Sequence, residues 1–118
     1  MNLPNVFDGM VPKVPFAAGS IIFTEGDLGA TMYIIKEGHV ELQVHGRTIE
    51  TLGPEDFFGE MALVDKAGRS ATAVAKTDCK LAPINERQFL FMVQEVPFFA
   101  LRIMRAMSSR LRRADELL

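Results

Sequence analysis

The sequence predicts a mainly β protein in which an antiparallel β-roll, a jelly-roll-like barrel of two sheets, is closed by C-terminal helices. Short β-rich segments divided by glycine-containing turns fill residues 13–84, which is typical of such rolls. After residue 85 the apolar residues recur with a helical period. Because the chain has 118 residues, we expect one domain over 1–118, with the roll at about 13–84 and the helices at about 85–118.

The first half of the predicted roll is divided by turn residues. Residues 13–16 and 21–23 are short apolar segments that fit strands. They are followed by the turn cluster 25–29, whose glycines at positions 26 and 29 can both adopt positive φ. Residues 32–35 then form a continuous apolar strand that ends at the turn around Gly38.

The strand at 40–44 has the clearest alternation of the chain. Its apolar face carries Val40, Leu42 and Val44, and its polar face carries His39, Glu41, Gln43 and His45. A turn at Gly46 leads into a strand at 48–52. After a loop at 53–70, two further strands are expected at 71–75 and 80–84.

Two helices are expected after the roll. Asn85 and Gln88 form a capping-box pattern, so a short helix should cover about 86–94 and end before Pro97. A longer helix should begin near Pro97 and run toward the C-terminus. Its apolar residues repeat with heptad spacing, at Ala100, Met104, Met107, Leu111, Ala114 and Leu118. This seam either packs on the roll or joins two copies of the chain, so a homodimer through the C-terminal helix is one expectation.

Composition excludes several classes of protein. Apolar residues make up 48% of the chain and charged residues 24%, which predicts a folded domain rather than a disordered one. No apolar stretch reaches the ~20 residues that span a bilayer, and the N-terminus lacks the pattern of a signal peptide. With Cys79 as the single cysteine, we expect a reduced cytoplasmic protein without membrane segments.

A metal centre and catalysis are not expected. A cupin-type metalloenzyme shares the roll architecture, but it needs two or three histidines and a carboxylate inside the roll. The two histidines, His39 and His45, lie on the polar face of their strand, and Cys79 has no second cysteine in a CxxC pair. No nucleophile and base stand together, so we expect neither an enzyme nor a bound cofactor.

Charge is distributed unevenly along the chain. Residues 1–60 contain three basic and nine acidic side chains, whereas residues 61–118 contain ten basic and six acidic ones. The basic excess lies at Arg102, Arg105, Arg110, Arg112 and Arg113. Because apolar residues alternate with these arginines, they are typical of the solvated face of an amphipathic helix. Together with the net charge of −2, this pattern makes direct nucleic-acid binding an unlikely role.

The segment with the most chemical information begins at Phe57. Glu60 and Arg69 lie nine residues apart and flank a stretch of small residues. A helical turn after Gly59 would present free N–H groups to an anion, and Arg69 can bind two phosphate oxygens at once. Glu60 would repel phosphate but can accept a hydrogen bond from a hydroxyl, so the pair suggests a sugar phosphate. A structural ion pair between Glu60 and Arg69 is the alternative.

This segment resembles the phosphate-binding cassette of the cyclic nucleotide-binding domain family. The cassette pattern F-G-E-x-A-L, a short spacer and R-[SA]-A-T is matched at 58–63 and 69–72. The stretches 25–29, 32–35 and 38–40 resemble the barrel turns of the family. The resemblance covers about residues 13–118, and its motifs occur in the order and spacing of the family.

The resemblance implies that the ligand is cAMP or cGMP. Arg69 would pair with the cyclic phosphate, together with the backbone N–H groups of Ala62 and Ser70. Glu60 would accept a hydrogen bond from the ribose 2′-hydroxyl, and the backbone of Gly59 would lie against the ribose. Val40, Leu42 and Ile49 are candidates for the apolar wall beside the base. The full set of expected ligand-binding residues is Leu42, Ile49, Phe58, Gly59, Glu60, Met61, Ala62, Arg69, Ser70, Ala71, Arg112 and Arg113.

The implied function is a receptor that binds cAMP, or less favourably cGMP, reversibly and signals through its last helix. Arg112 or Arg113 on that helix can stack on the purine. The alternative is the ligand-binding fragment of a larger transcription regulator or channel whose output domain is missing. The sequence names no downstream effector. Two departures from the family pattern are the Glu55-Asp56 pair, where Gly-Asp is usual, and Gly68, where the kinase members often have proline.

Overall fold

The computed structural model describes residues 11–64 and 68–115 of the chain. Within these ranges the strands are β1 (Val14–Phe16), β2 (Ile21–Phe23), β3 (Thr31–Glu37), β4 (Val40–Val44), β5 (Arg47–Leu52), β6 (Phe57–Phe58), β7 (Thr72–Ala75) and β8 (Cys79–Asn85). The helices are α1 (Met61–Val64), α2 (Glu86–Glu95) and α3 (Phe98–Asp115).

The strands form two antiparallel sheets of four strands each. The first sheet has the order β1-β8-β3-β6, and the second has the order β2-β7-β4-β5. The predicted antiparallel roll with C-terminal helices is therefore confirmed, and its two sheets are not closed into a barrel. Strand β4 lies between β5 and β7 and keeps the predicted alternation, with Val40, Leu42 and Val44 buried.

The first sheet is apolar on both of its faces. Met32 and Ile34 of β3 pack with the helices α2 and α3, in a cluster that includes Met92, Phe99 and Ile103. Ile35 of the same strand packs toward the second sheet instead. Because successive side chains of a strand point to opposite faces, a strand covered on both sides needs a continuous apolar run. This requirement explains the unbroken Met-Tyr-Ile-Ile sequence of β3.

Both helices begin close to where the sequence predicts. The Asn85 side chain accepts a hydrogen bond from the Gln88 backbone N–H at 2.8 Å, and the Gln88 side chain accepts one from the Asn85 N–H at 2.9 Å. This capping box confirms the predicted start of α2. Pro97 immediately precedes α3, and its carbonyl accepts from the Ala100 N–H at 3.1 Å.

Part of the heptad seam of α3 packs on the roll. Phe99 and Ile103, which lie outside the seam, are buried against the first sheet and α2, and Met107 of the seam is partly buried beside them. Met104 and Leu111 of the seam are 58% and 65% exposed, so the seam is divided between packed and exposed residues. The phase of the helix is set by Phe99, which lies between the rings of Phe57 and Phe89. Leu118, the last seam residue, lies outside the described residues.

Glu55 occupies the turn position at which the family usually has glycine. Its φ is 79°, in the left-handed region that disfavours side chains with a Cβ. The turn is held by hydrogen bonds to β3, because the Glu55 N–H donates to the Ile35 carbonyl at 2.8 Å and the Ile35 N–H donates to the Asp56 carbonyl at 2.9 Å. The glutamate therefore bears a backbone strain that glycine would not have.

Replacement of Glu55 by glycine is expected to raise the free energy of unfolding by about 0.5–1 kcal/mol. Relief of the left-handed conformation contributes about 1–2 kcal/mol, and the greater freedom of glycine in the unfolded chain offsets part of it. Urea denaturation of Glu55→Gly and wild type measures the difference. The control is Thr51→Gly, at an exposed β5 residue without positive φ, which should lose stability. A loss of similar size at both positions would contradict the assignment of strain to Glu55.

Candidate functional site

A cavity that is partly open to solvent lies between the second sheet, the cassette around α1, and α3. The residues that line it are Phe23, Leu42, Val44, Ile49, Gly59, Glu60, Met61, Ala62, Arg69, Ser70, Ala71, Met107, Arg110 and Leu111. The wall is mostly apolar, with Arg69, Glu60 and Arg110 as its charged groups.

Arg69 is buried in the wall of this cavity. Its Nη1 donates to the carbonyls of Thr31 at 2.8 Å and Gly59 at 3.1 Å, and its guanidinium lies 4.1 Å from the centre of the Phe23 ring. Burial lowers the pKa of Arg69 from its ordinary value, an effect opposed by Tyr33 and the nearby carboxylates. The Arg69 Nε is buried without a hydrogen-bond partner among the residues that the structure describes. A cationic group with an unsatisfied donor suits an anionic ligand.

The turn cluster 25–29 forms the support of Arg69. The Arg69 N–H donates to the Asp27 carbonyl at 2.7 Å, and the Gly26 N–H donates to the Arg69 carbonyl at 2.8 Å. A Cβ at Gly29 would lie only 2.5 Å from the Arg69 Nε. Gly26 uses the freedom of glycine to adopt a positive φ, at 91°, whereas Gly29 does not. Gly29 is needed instead because only a residue without a side chain leaves room for the guanidinium.

The cassette brings Glu60 to the cavity directly after a tight turn. Gly59 has a φ of 82°, and a Cβ on it would lie 2.9 Å from the Arg69 Nη1. Glu60 follows it and precedes the four-residue helix α1. The Ala62 N–H, expected to bind phosphate, donates to the Gly59 carbonyl over a long 3.3 Å. The turn therefore places a carboxylate and a guanidinium in the same wall.

The ion-pair partner of Glu60 is Arg110 of α3, not Arg69. The Arg110 Nη1 donates to Glu60, its Nε donates to Glu50 of β5 at 2.9 Å, and its Nη2 donates to the Phe57 carbonyl at 2.7 Å. Thus the alternative of a structural Glu60–Arg69 pair is wrong, and α3 is fixed to the cassette by an arginine that the sequence analysis assigned to a solvated face.

Glu60 is almost fully buried, and its environment determines its protonation. Burial raises the pKa of Glu60 above its ordinary value, the charge and hydrogen bond of Arg110 oppose this shift, and the charge of Glu50 adds to it. Arg110 is therefore the main influence that favours the charged carboxylate against the effect of burial. A buried carboxylate with spare acceptor capacity can hydrogen-bond a neutral hydroxyl group.

Nine of the twelve predicted ligand-binding residues line the cavity. They are Leu42, Ile49, Gly59, Glu60, Met61, Ala62, Arg69, Ser70 and Ala71. Phe58 does not, because the two-residue strand β6 points Phe57 toward the helices and Phe58 between the sheets. There Phe58 is fully buried and stacks on Tyr33 with 5.4 Å between ring centres. Val40, a further candidate for the apolar wall, is also a buried core residue outside the lining.

Arg112, which is predicted to stack on the purine, lies away from the cavity. Arg112 is exposed and does not line the cavity. Since each helical residue advances by about 100°, Arg112 lies about 200° around the helix from Arg110, which does face the cavity. The side chain of Arg113 lies outside the described residues.

Five lining residues were not predicted to bind ligand: Phe23, Val44, Met107, Arg110 and Leu111. Val44 shares the alternating face of Leu42, so the strand pattern already contained it. Met107, Arg110 and Leu111 are spaced three and four residues apart, the spacing of one helix face. Phe23 carries no comparable signal, because its role depends on stacking against the distant Arg69.

No group of three His, Cys, Asp or Glu side chains in residues 11–64 and 68–115 is arranged to hold a metal ion. His39 and His45 are exposed, as predicted from the alternation of β4. No helix in this part of the chain is long and apolar enough to cross a membrane.

The cavity, the cassette and the roll agree with a known family. A family model described as cyclic nucleotide-binding domain matches residues 13–96. The chain belongs to this family. The match covers both sheets and α2, so the family assignment rests on the roll and the cassette together.

Relatives of this cyclic nucleotide-binding domain include receptors and kinase subunits. The cyclic AMP receptor protein of Thermus thermophilus is 37% identical over 105 residues, which cover 85% of this chain and 49% of the relative. The cAMP-dependent protein kinase regulatory subunit of Schizosaccharomyces pombe is 40% identical over 77 residues, or 64% of this chain and 19% of the relative. The chain thus spans half or less of the length of these two relatives.

A solved structure gives the same fold. The crystal structure of the Thermus thermophilus catabolite activator protein superimposes with a TM-score of 0.79 at 33% sequence identity. The superposition covers 96% of this chain and 55% of that chain. The similarity therefore extends beyond the sheets to the C-terminal helices.

Replacement of Arg110 by methionine is expected to lower the free energy of unfolding by about 3 kcal/mol, because it leaves buried Glu60 without its cation. Glu60→Gln should lose only about 1 kcal/mol, since Arg110 keeps Glu50 and the Phe57 carbonyl as partners. Urea denaturation of both variants at pH 7 measures this asymmetry. Equal losses would contradict the assignment of Arg110 as the main compensation of the Glu60 charge.

The loss of unfolding free energy in Arg110→Met should also depend on pH. Burial raises the pKa of Glu60 in the folded protein, and removal of Arg110 raises it further. The folded variant then binds a proton at Glu60 more readily than the unfolded chain, so its deficit is largest near pH 7 and shrinks as the pH falls towards about 5. A deficit that stays constant over this interval would show that lost packing, not charge, is its cause.

Proposed function

We propose that the chain is a receptor module that binds a cyclic nucleotide reversibly in the cavity between the second sheet and α3, with cAMP preferred over cGMP. The observation that carries the proposal is the presence of buried Arg69, with its unsatisfied Nε, and buried Glu60 in one cavity wall. The guanidinium of Arg69 can bind an anion, and the carboxylate of Glu60 beside it can accept a hydrogen bond from a hydroxyl group. A ribose with a cyclic phosphate carries both of these groups. Membership of the cyclic nucleotide-binding domain family supports the same ligand class.

Each part of the ligand has a suitable partner in the wall. The guanidinium of Arg69 can donate in two directions to the phosphate oxygens, and the hydroxyl of exposed Ser70 lies next in the chain. Glu60 accepts a hydrogen bond from the ribose 2′-hydroxyl. The purine ring would be covered by apolar side chains of β4 and β5, such as Leu42 and Ile49. Burial of the base against these side chains supplies non-directional affinity.

The preference for cAMP rests on the character of this apolar wall. Guanine carries a carbonyl oxygen, a ring N–H and an amino group that lose water on entering the cavity, whereas adenine carries fewer such groups at the same edge. The sheet side of the cavity offers Leu42, Val44 and Ile49 to the base, without a polar side chain. Two of the relatives are named for cyclic AMP, which agrees with this preference.

Signalling through the last helix is the second part of the proposal. Met107, Arg110 and Leu111 of α3 line the cavity, so a nucleotide touches the helix directly. If it binds the docked helix more tightly than an undocked one, occupancy shifts the population toward docking. A homodimer through exposed Met104 and Leu111 is the alternative way to hold α3, and nucleotide would then fill a preformed pocket.

We propose no catalytic activity for the chain, and we propose that it acts in the cytoplasm. An alternative for the whole protein is a larger transcription regulator or channel in which this chain is the ligand-binding part. This alternative is favoured because the chain spans only 49% and 19% of the lengths of the two relatives.

Titration calorimetry with cAMP, cGMP and cyclic dinucleotides tests the proposal that the chain binds a cyclic nucleotide. Absence of binding to all of them would reject it.

Arg69→Ala is expected to weaken cAMP binding by roughly 30- to several-thousand-fold, because it removes the charge-assisted partner of the phosphate. Arg69→Lys should recover part of this affinity, since an ammonium lacks the planar fork. Because Arg69 also donates to the carbonyls of Thr31 and Gly59, the alanine variant will lose some stability, and calorimetry should be run well below its unfolding temperature. The matched control is Arg87→Ala, at an exposed arginine of α2, which should bind as wild type does. Wild-type affinity in Arg69→Ala would reject this anchor.

Amide hydrogen exchange distinguishes a helix α3 that docks when nucleotide binds from a helix α3 that is already fixed beside a preformed pocket. With saturating cAMP, we expect increased protection in the cassette, at 59–64 and 68–72, and also over 105–115 of α3. The reason is that the second half of α3 docks through cavity residues that the ligand contacts. If protection rises in the cassette while 105–115 stays unchanged, the helix is not the moving element and the rigid-module account holds.

A further inference from the structure

Arg110 is shared between two carboxylates on different elements. Its Nη1 donates to Glu60 in the cassette, and its Nε donates to Glu50 of β5 at 2.9 Å. The side chains of Arg110, Glu50 and Glu60 are 15%, 21% and 3% exposed, so the three groups lie largely out of water. Arg110 therefore divides its charge between the two carboxylates.

We propose that Glu50 is a positioning residue for the ribose contact. By taking part of the charge of Arg110, it leaves Glu60 with the acceptor capacity to bind the ribose 2′-hydroxyl. The inference rests on the proposed function, because it concerns how the same cavity recognises the ribose. Glu50 itself does not line the cavity and acts through Arg110.

Glu60 can accept hydrogen bonds both from Arg110 and from a ligand hydroxyl group. An arginine brings a full positive charge to a buried carboxylate, so it binds that carboxylate more strongly than a neutral hydroxyl does. If Glu60 alone had to balance Arg110, a hydroxyl would compete poorly for the same carboxylate. Glu50 provides a second anionic acceptor for a different nitrogen of the guanidinium, and Phe57 provides a carbonyl for the third. The arginine therefore remains compensated when Glu60 also binds a hydroxyl.

The backbone of β5 explains how Glu50 reaches this position. Leu42 pairs with Glu50 and the adjacent Gln43 pairs with Thr48, so the register shifts and Ile49 is the extra residue of a β-bulge. In a regular strand, neighbouring residues point to opposite faces. Here Ile49 lines the cavity while Glu50, the next residue, reaches Arg110 and is likewise half-buried. The bulge thus lets two consecutive residues serve one site.

The test compares the affinities of cAMP and 2′-deoxy-cAMP by titration calorimetry on the full chain. In wild type the 2′-hydroxyl should improve affinity by about tenfold or more, as expected for a hydrogen bond to a charged acceptor. In Glu50→Gln we expect this ratio to fall to about two- to threefold, because Arg110 then relies on Glu60 for its charge balance. Glu41→Gln is the matched control: Glu41 lies on the adjacent strand, contacts Thr48 and Lys76 rather than Arg110, and should keep the wild-type ratio.

The ratio distinguishes positioning from a general structural role. If Glu50→Gln weakens both nucleotides equally, or raises the ratio, the inference is overturned. If Glu50→Gln does not fold, Glu50→Asp keeps the charge but draws it back from Arg110. In that variant, the ratio of cAMP affinity to 2′-deoxy-cAMP affinity should lie below the wild-type ratio and above one. A ratio equal to that of wild type would count against the inference. Failure of wild type to bind either nucleotide would instead reject the proposed function, which keeps the two failures distinct.

Discussion

A charged guanidinium kept inside the protein is the constraint on which the rest of the site depends. Arg69 can be buried only because Thr31 and Gly59 provide carbonyl acceptors, and because the face of the Phe23 ring covers it. Gly29 must lack a side chain because the guanidinium occupies the space where a Cβ would be. The segment before Arg69 must turn sharply as well, and Gly68 does so with a φ of 100° that proline could not adopt.

The ionic contacts of the site are divided between two elements that meet at Glu60. The cassette places the carboxylate, and α3 supplies the arginine that keeps it charged. The pairing is tertiary, since the two residues lie fifty positions apart. Glu60 therefore belongs both to the wall of the cavity and to the contact that fixes the second half of α3.

The sequence predicted the features that are local and failed where a contact is long-range. The alternation of β4, the capping box at Asn85 and the cassette residues Glu60 and Arg69 are each written in a few neighbouring positions. Phe58 was placed in the site because the pair Phe57-Phe58 has no polar residue to mark which face is buried. Arg110 could not be separated from the other arginines of α3, because only its distance to Glu50 and Glu60 distinguishes it. The heptad spacing of α3 likewise predicted a helix with an apolar seam, but it did not predict which face of the helix is buried. Phe99 and Ile103 determine that face.

Helix α3 is attached to the roll in two chemically different ways along its length. Its first half is held by apolar burial of Phe99 and Ile103, and its second half by the charged contacts of Arg110. Apolar burial weakens on cooling, whereas ionic contacts that lie largely out of water are screened only weakly by salt. Cooling therefore acts mainly on the apolar attachment of the first half, and moderate salt leaves the buried contacts of Arg110 largely in place. The end of the helix that lines the cavity is thus the end whose attachment changes less with the solution conditions.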